Sequence, residues 1–184
     1  MASNGAEAAR HSPTHDSIRW GRDRWAAKYG TEHAAAMETV SSLVRVREVL
    51  IDFMESHLEA SELTFGEYDL LNVIEMIGGG SLALGKIRRH ARRFFNHQTS
   101  VTNIIKRLAA KGYVETSSDP EDGRVTMVAV TSLGRRRLNA GHRALAKVGF
   151  GLEGLPVKEQ EQLNELLFEV RTLHGDVGPM EDGL

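Results

Sequence analysis

Gln98, Thr99, Ser100, Thr102, Asn103 and Lys106 lie in one stretch, QTSVTNIIKRLAAKG, that runs from Gln98 to Gly112. A helix entering the major groove of DNA must offer short polar side chains, because long ones would hold its backbone away from the bases. Asn bonds an adenine edge bidentately, and Thr donates to a base or presses its methyl group on thymine. Gln98 stands at the helix start, where recognition helices approach the bases. Arg88, Arg89, Arg92 and Arg93 precede this helix and are placed to contact phosphates, which positions a protein without reading sequence. Arg124 follows Asp122-Gly123, and a guanidinium on a hairpin tip suits a narrow minor groove. Asp122 is placed to brace that guanidinium by a two-point ion pair. The competing readings are plainer: a core helix with a solvated outer face, a solvated charge run, and a surface ion pair of little energetic worth. Arg135 to Arg137 carry the same two readings, phosphate contact or solvated face.

The elements that must hold these residues are legible from pattern. Ser81 to Ala83 suit a brief strand. Leu84 to Arg93 read as a helix with apolar Leu84, Ile87 and Ala91, and Phe94 to His97 as its turn. Gln98 to Lys111 read as the recognition helix, with Val101, Ile104, Ile105 and Leu108 on its buried face. Tyr113 to Thr131 read as a hairpin, with its turn at Ser118 to Gly123 and Asp122-Gly123 as a tight-turn signal. Strand, two helices and basic hairpin together make a winged helix-turn-helix. The fold class is therefore mainly α with a small β-wing.

Charge is concentrated in the same place. Gly85 to Lys147 carry 14 Lys+Arg against 4 Asp+Glu, whereas the other residues carry 9 against 21. The net charge of −2 over 184 residues thus hides a strongly basic module. Basic surface is the electrostatic footprint of phosphate binding.

Around the module lie longer helices. Asp16 to Tyr29 reads as a short helix that carries Trp20 and Trp25 and stops at Gly30. Glu32 to Ala60 reads as one long helix, with Val40, Val44, Ile51, Met54 and Leu58 in a single apolar stripe. Arg47 lies in line with that stripe, and a charge there needs a partner. A carboxylate of the protein itself is one such partner and an acidic ligand is the other. Trp20, Trp25, His57, Phe65 and Tyr68 suit the lining of a nearby aromatic pocket, or plain core. Leu63 to Ile77 is the next helix. Thr64 with Glu67 signs its start as a capping box, and Leu63 with Tyr68 as a hydrophobic staple. Gly78 to Gly80 stop it. A helix from about Ser132 is interrupted at glycines 149, 151 and 154. A last helix starts with Pro156 at its first position, and its stripe is Leu163, Leu166, Leu167, Val170 and Leu173.

Several chemistries are left without support. There is no cysteine, so disulfides and thiolate nucleophiles are out. The eight histidines form no HExxH-like motif, so no metal site is expected. There is no Gly-x-Ser-x-Gly and no P-loop, and no catalytic constellation points to an enzyme. No apolar run approaches the roughly 20 residues that span a membrane. The start, MASNGAEAARHSPTHDS, lacks the apolar stretch of a secretory signal. The expectation is a cytoplasmic protein.

LALGKI, QTSVTNIIKRLAAKGYVE, the wing DPEDGR and the following VTSLG resemble the MarR family of winged helix-turn-helix bacterial transcriptional regulators. The resemblance covers about Glu32 to Leu173. DPEDGR matches the family's Asp-x-Arg wing signature, and VTSLG its Leu-Thr-x-x-Gly segment with Val130 in place of Leu. IRRHARRFF is richer in arginine than the milder helix of many members, and the tryptophan helix looks like an extension found in some subgroups.

The resemblance implies a homodimer on a pseudo-palindromic double-stranded operator. It also implies repression relieved by a small anionic aromatic or acyl effector, of aromatic-acid or acyl-CoA type, with no other cofactor. That effector would sit between the dimer helices and the winged module, where Trp20, Trp25, Arg47, His57, Phe65 and Tyr68 are the candidates. The implied domains are a disordered tail at 1–16, an extension helix at 17–30, dimerisation helices at 31–62 and 140–175, the DNA-binding domain at 63–139 and a loose tail at 176–184. A winged-helix protein-interaction module without DNA binding is the reading from another class. The basic asymmetry and the short polar helix face count against it.

Overall fold

The computed structural model describes residues 16–91 and 98–177, with residues 98–100 described through their backbone. Arg92, Arg93, the turn at 94–97 and the tails at 1–15 and 178–184 lie outside the described residues, as do the side chains of Gln98, Thr99 and Ser100. The chain divides after Val49 into two compact units.

In the first unit, α1 (Ser17–Tyr29) begins where the Asp16 carboxylate accepts from the Ile18 and Arg19 amides. Such a cap satisfies amides that have no partner within the helix. Arg19 and Arg22 reach Glu38 at 3.8 and 3.3 Å, which ties α1 to the start of α2 (Ala34–Leu58). No residue of α1 is buried. Trp20 and Trp25 are 50% and 41% exposed, and the Trp25 ring packs at a tilt against Tyr29 with centroids 4.9 Å apart. The stripe of α2 is bare over this stretch, since Val40 and Val44 are exposed, and Val46 and Val49 off the stripe are exposed as well.

The second unit holds the core. A 3-10 turn (Glu59–Ser61) ends α2, and Glu62 follows in a left-handed conformation, φ 57°. The predicted capping box opens α3 (Phe65–Gly78): Thr64 Oγ1 accepts from the Glu67 amide, and Glu67 accepts from the Thr64 amide. Leu63 and Tyr68 are both buried, as a staple requires. Gly79 takes the left-handed C-cap. Leu70, Leu71 and Ile74 of α3 are fully buried. They form one cluster with Ile87 of α4 (Leu84–Ala91) and Leu108 of α5 (Gln98–Ala110).

Three short strands complete the module. β1 (Ser81–Ala83), β2 (Val114–Ser118) and β3 (Thr126–Val130) form an antiparallel sheet in the order β1-β3-β2. Leu82 faces Val128, and Val114 faces Val130. The hairpin differs from the sequence expectation. Asp122-Gly123 does open a tight turn, with Val125 N donating to Asp122 O at 2.9 Å, but the connection spans residues 119–125 rather than ending at Gly123, and Asp119 N donates to Val125 O at 2.8 Å. The local Asp side chains shape this loop. Asp119 Oδ1 accepts from the Glu121 and Asp122 amides. Asp side chains favour such loops because they bond backbone amides a few residues on.

Thr131 caps α6 (Ser132–Lys147) through the Gly134 amide. Gly134 lies so close to the Tyr113 carbonyl that a Cβ would collide with it. Gly149, Phe150 and Gly151 all have positive φ and form a 3-10 corner. A Cβ on Gly151 would meet Phe53 at 3.0 Å. α7 (Val157–Leu173) starts one residue later than expected, with Pro156 as its N-cap. None of its residues is buried; Leu166 and Leu173 are 61% and 83% exposed.

Candidate nucleic-acid interface

The geometry sorts the candidate residues. α5 buries Val101, Ile104, Ile105 and Leu108, which leaves Asn103 and Lys106 exposed on the opposite side. Thr102 is half-buried, and its hydroxyl accepts from Arg88 Nη2 at 3.1 Å. The two residues therefore engage each other and brace α4 against α5. The expectation of two independent DNA contacts overlooked this bond.

Arg124 is exposed on the wing. The expected Asp122–Arg124 ion pair is absent among the described residues. Asp122 Oδ1 instead accepts from the Arg124 backbone amide at 3.0 Å. The carboxylate shapes the loop that presents the guanidinium and leaves its charge unmatched by Asp122. Lys86, Arg88, Arg89 and Arg124 all line an open groove of about 450 Å3 between the start of α4 and the start of β3. Four cations around one concavity create a positive potential suited to phosphate oxygens.

Other arginines are engaged within the fold. Arg135 donates to Glu75 and Arg137 to Glu62, each at 2.7 Å. Both are held in ion pairs within the fold rather than forming a simply solvated face. Arg107 of α5 and Lys111 just past its end reach Glu67 at 3.4 and 2.7 Å, and Glu67 is 1% exposed. Burial alone pushes the Glu67 carboxyl up. The Lys111 hydrogen bond, the Thr64 amide and the Lys111 and Arg107 charges outweigh it and leave the group below its ordinary value. The capping signature made Glu67 visible in the sequence, but not this second set of partners.

The proposed effector residues are spread over the two units. Trp20, Trp25 and Arg47 belong to the first unit and are exposed. Arg47 was expected on a covered stripe. It lies in the open here because the α2 stripe beside it is bare. In the second unit Tyr68 is buried core, Phe65 packs against that core, and His57 Nδ1 donates to Phe53 O at 2.8 Å.

Residues 61–125 match the family model described as MarR family. The chain is also 30% identical over 128 residues to the HTH-type transcriptional repressor IacR of Pseudomonas putida, across 68% of this chain and 72% of that protein. The chain belongs to the MarR family. It is accordingly a transcriptional regulator and not an enzyme.

Solved structures of transcriptional regulators share the fold. A MarR family transcriptional regulator from Streptomyces coelicolor superposes with a TM-score of 0.68 at 29% identity, covering 77% of this chain and 96% of its own. A mutant MarR from E. coli complexed with operator DNA gives 0.66 at 18%, covering 76% and 97%. An organohalide-sensing regulator in its 2,4-dichlorophenol-bound form gives 0.65 at 16%, covering 73% and 78%. No helix among the described residues is long and apolar enough to cross a membrane.

Proposed function

We propose that this MarR-family regulator is a cytoplasmic homodimeric repressor that binds a pseudo-palindromic operator. The observation that carries this reading is the basic winged module itself. It turns Asn103 and Lys106 outward on α5 and gathers Lys86, Arg88, Arg89 and Arg124 around one groove. Asn103 would meet a base edge. The groove cations would hold phosphate, and Arg124 would reach the minor groove. Gln98, Thr99 and Ser100, at the start of α5, complete the proposed reading surface, with Arg92 and Arg93 as further phosphate contacts.

The dimer reading is supported by the bare apolar residues of α7 and of the first half of α2. Exposed stripes of this kind mark protein interfaces. The repressor reading is supported by the Pseudomonas putida relative, a transcriptional repressor by name. We further propose relief of repression by a small anionic aromatic or acyl effector. Its support is the chlorophenol-bound neighbour and the aromatic and cationic side chains of Trp20, Trp25 and Arg47.

The test is fluorescence-anisotropy titration against the DNA upstream of the gene and against scrambled DNA, with salt varied. Binding that prefers upstream DNA and weakens steeply with salt supports the reading. Release by aromatic acids or acyl-CoA esters identifies the effector class, and sedimentation gives the oligomeric state. A folded protein that binds neither this DNA nor any selected sequence, and that holds a protein partner instead, moves the assignment to a protein-interaction module.

A further inference from the structure

Two carboxylates, Glu62 just before α3 and Glu67 in its first turn, enclose the C-terminal end of the recognition helix. Glu67 receives Lys111 at 2.7 Å and Arg107 at 3.4 Å. Glu62 receives Arg137 of α6 at 2.7 Å and the Tyr113 hydroxyl at 2.9 Å. Its own carbonyl accepts from Lys111 Nζ at 3.0 Å. Lys111 stands just past the end of α5 with its amide still bonded to the Arg107 carbonyl at 3.0 Å, so the two side chains, four residues apart, share one face. Asn103 lies one turn earlier on that face.

Apolar burial gives α5 its adhesion but little direction, because that attraction is not directional. Charge-assisted hydrogen bonds to a buried carboxylate do have direction. Glu67 is taken out of water, so its charge must be matched where it stands. The helix ends favour the same arrangement, since a carboxylate suits the N-terminus of α3 and cations suit the C-terminus of α5.

We propose that Glu67 is a positioning residue for DNA recognition. Its clamp on Arg107 and Lys111 sets the roll of α5 about its own axis and hence the direction in which Asn103 faces. The clamp also keeps two cations of the recognition helix from acting as indiscriminate phosphate contacts. Glu62 braces the same corner on α6 through Arg137. Glu67 thus acts on the ratio of specific to non-specific affinity without touching DNA. The inference rests on the DNA-binding reading above.

The test is Glu67→Gln, which removes the charge but keeps a residue type that completes a capping box. The operator is first selected from a random-sequence pool with the wild-type protein. Operator and scrambled DNA are then titrated with both proteins, with folding checked by circular dichroism. The expected result is a fall of about tenfold in the operator-to-scrambled ratio, the scale of one lost base-reading contact. A wild-type ratio overturns the proposal. So does an equal loss of both affinities, which is what a merely structural role gives. If Glu67→Gln does not fold, Lys111→Met is measured against the same two criteria. Failure of the wild type itself to prefer any sequence would sink the DNA-binding reading instead.

Discussion

The Tyr68 hydroxyl and His142 Nδ1 lie 3.0 Å apart and join α3 to α6 across 74 positions of sequence. Tyr68 is buried, and His142 meets Phe150 edge-on with centroids 5.9 Å apart. The bond therefore closes a corner of the second unit. Tyr68→Phe keeps the packing and removes the bond, so it should lower stability by about 1 kcal/mol. Urea denaturation reads this directly. An unchanged midpoint combined with weakened effector binding would show that the hydroxyl serves the ligand instead.

Gly134 gives a larger effect. Its Cα rests against the Tyr113 carbonyl, where a methyl group has no room. Gly134→Ala must push α6 away from the start of β2. We expect a loss of about 2–3 kcal/mol, the cost of overpacking a closed contact. A wild-type denaturation midpoint would mean that the α6 start yields freely.

Asp69 supplies a pH dependence. Burial raises its carboxyl from 3.8 to about 6, and Oδ2 has no hydrogen-bond partner. An acid whose folded value is raised binds more protons folded than unfolded, so its contribution to stability falls as pH climbs from about 4 to about 6. Above that window the charged form is a standing cost. Asp69→Asn should therefore stabilise the protein at pH 7.5 by about 1 kcal/mol, after discount for its partial exposure. It should also flatten the decline between those pH values. Glu67 works in the opposite sense: its lowered value adds stability that is lost as pH falls through it. Thermal melts of both proteins from pH 4 to 8 separate the two groups, and an Asp69→Asn curve parallel to wild type would remove Asp69 as the cause.

The reading surface is tested by two truncations. Asn103→Ala and Arg124→Ala should each weaken operator binding by about 1–3 kcal/mol. Both side chains are exposed, so stability should barely change. Two variants that bind like wild type would leave the proposed docking without its main contacts.

Much of the second unit was legible because local rules and global packing agree there. Val101, Ile104, Ile105 and Leu108 repeat at helical spacing and are buried, and Thr64 with Glu67 forms the capping box that its spacing announces. What escaped lies across long separations. Glu67 meets Lys111 44 positions away, and Arg137 meets Glu62 75 positions away, distances at which sequence pattern carries no signal. In the wing, Asp-Gly marks a tight turn that Val125 N closes on Asp122 O, but that signal does not reveal the longer loop that Asp119 organises around it. Arg47 shows another limit. Periodicity reports that a face is apolar but not what covers it, and within one chain nothing buries Val40 or Val44.

The strand order β1-β3-β2 divides labour within the wing. β3 is hydrogen-bonded on both sides, and its Val128 is fully buried, so it is the spine of the sheet as well as one arm of the hairpin. Only residues 119–125, beyond the last paired positions Ser118 and Thr126, stand clear of that duty. The tip is shaped by its own side chains, Asp119 and Asp122, rather than by the sheet. A change within the loop therefore leaves the strand pairing beneath it intact, whereas a change in β3 disturbs both of its neighbours.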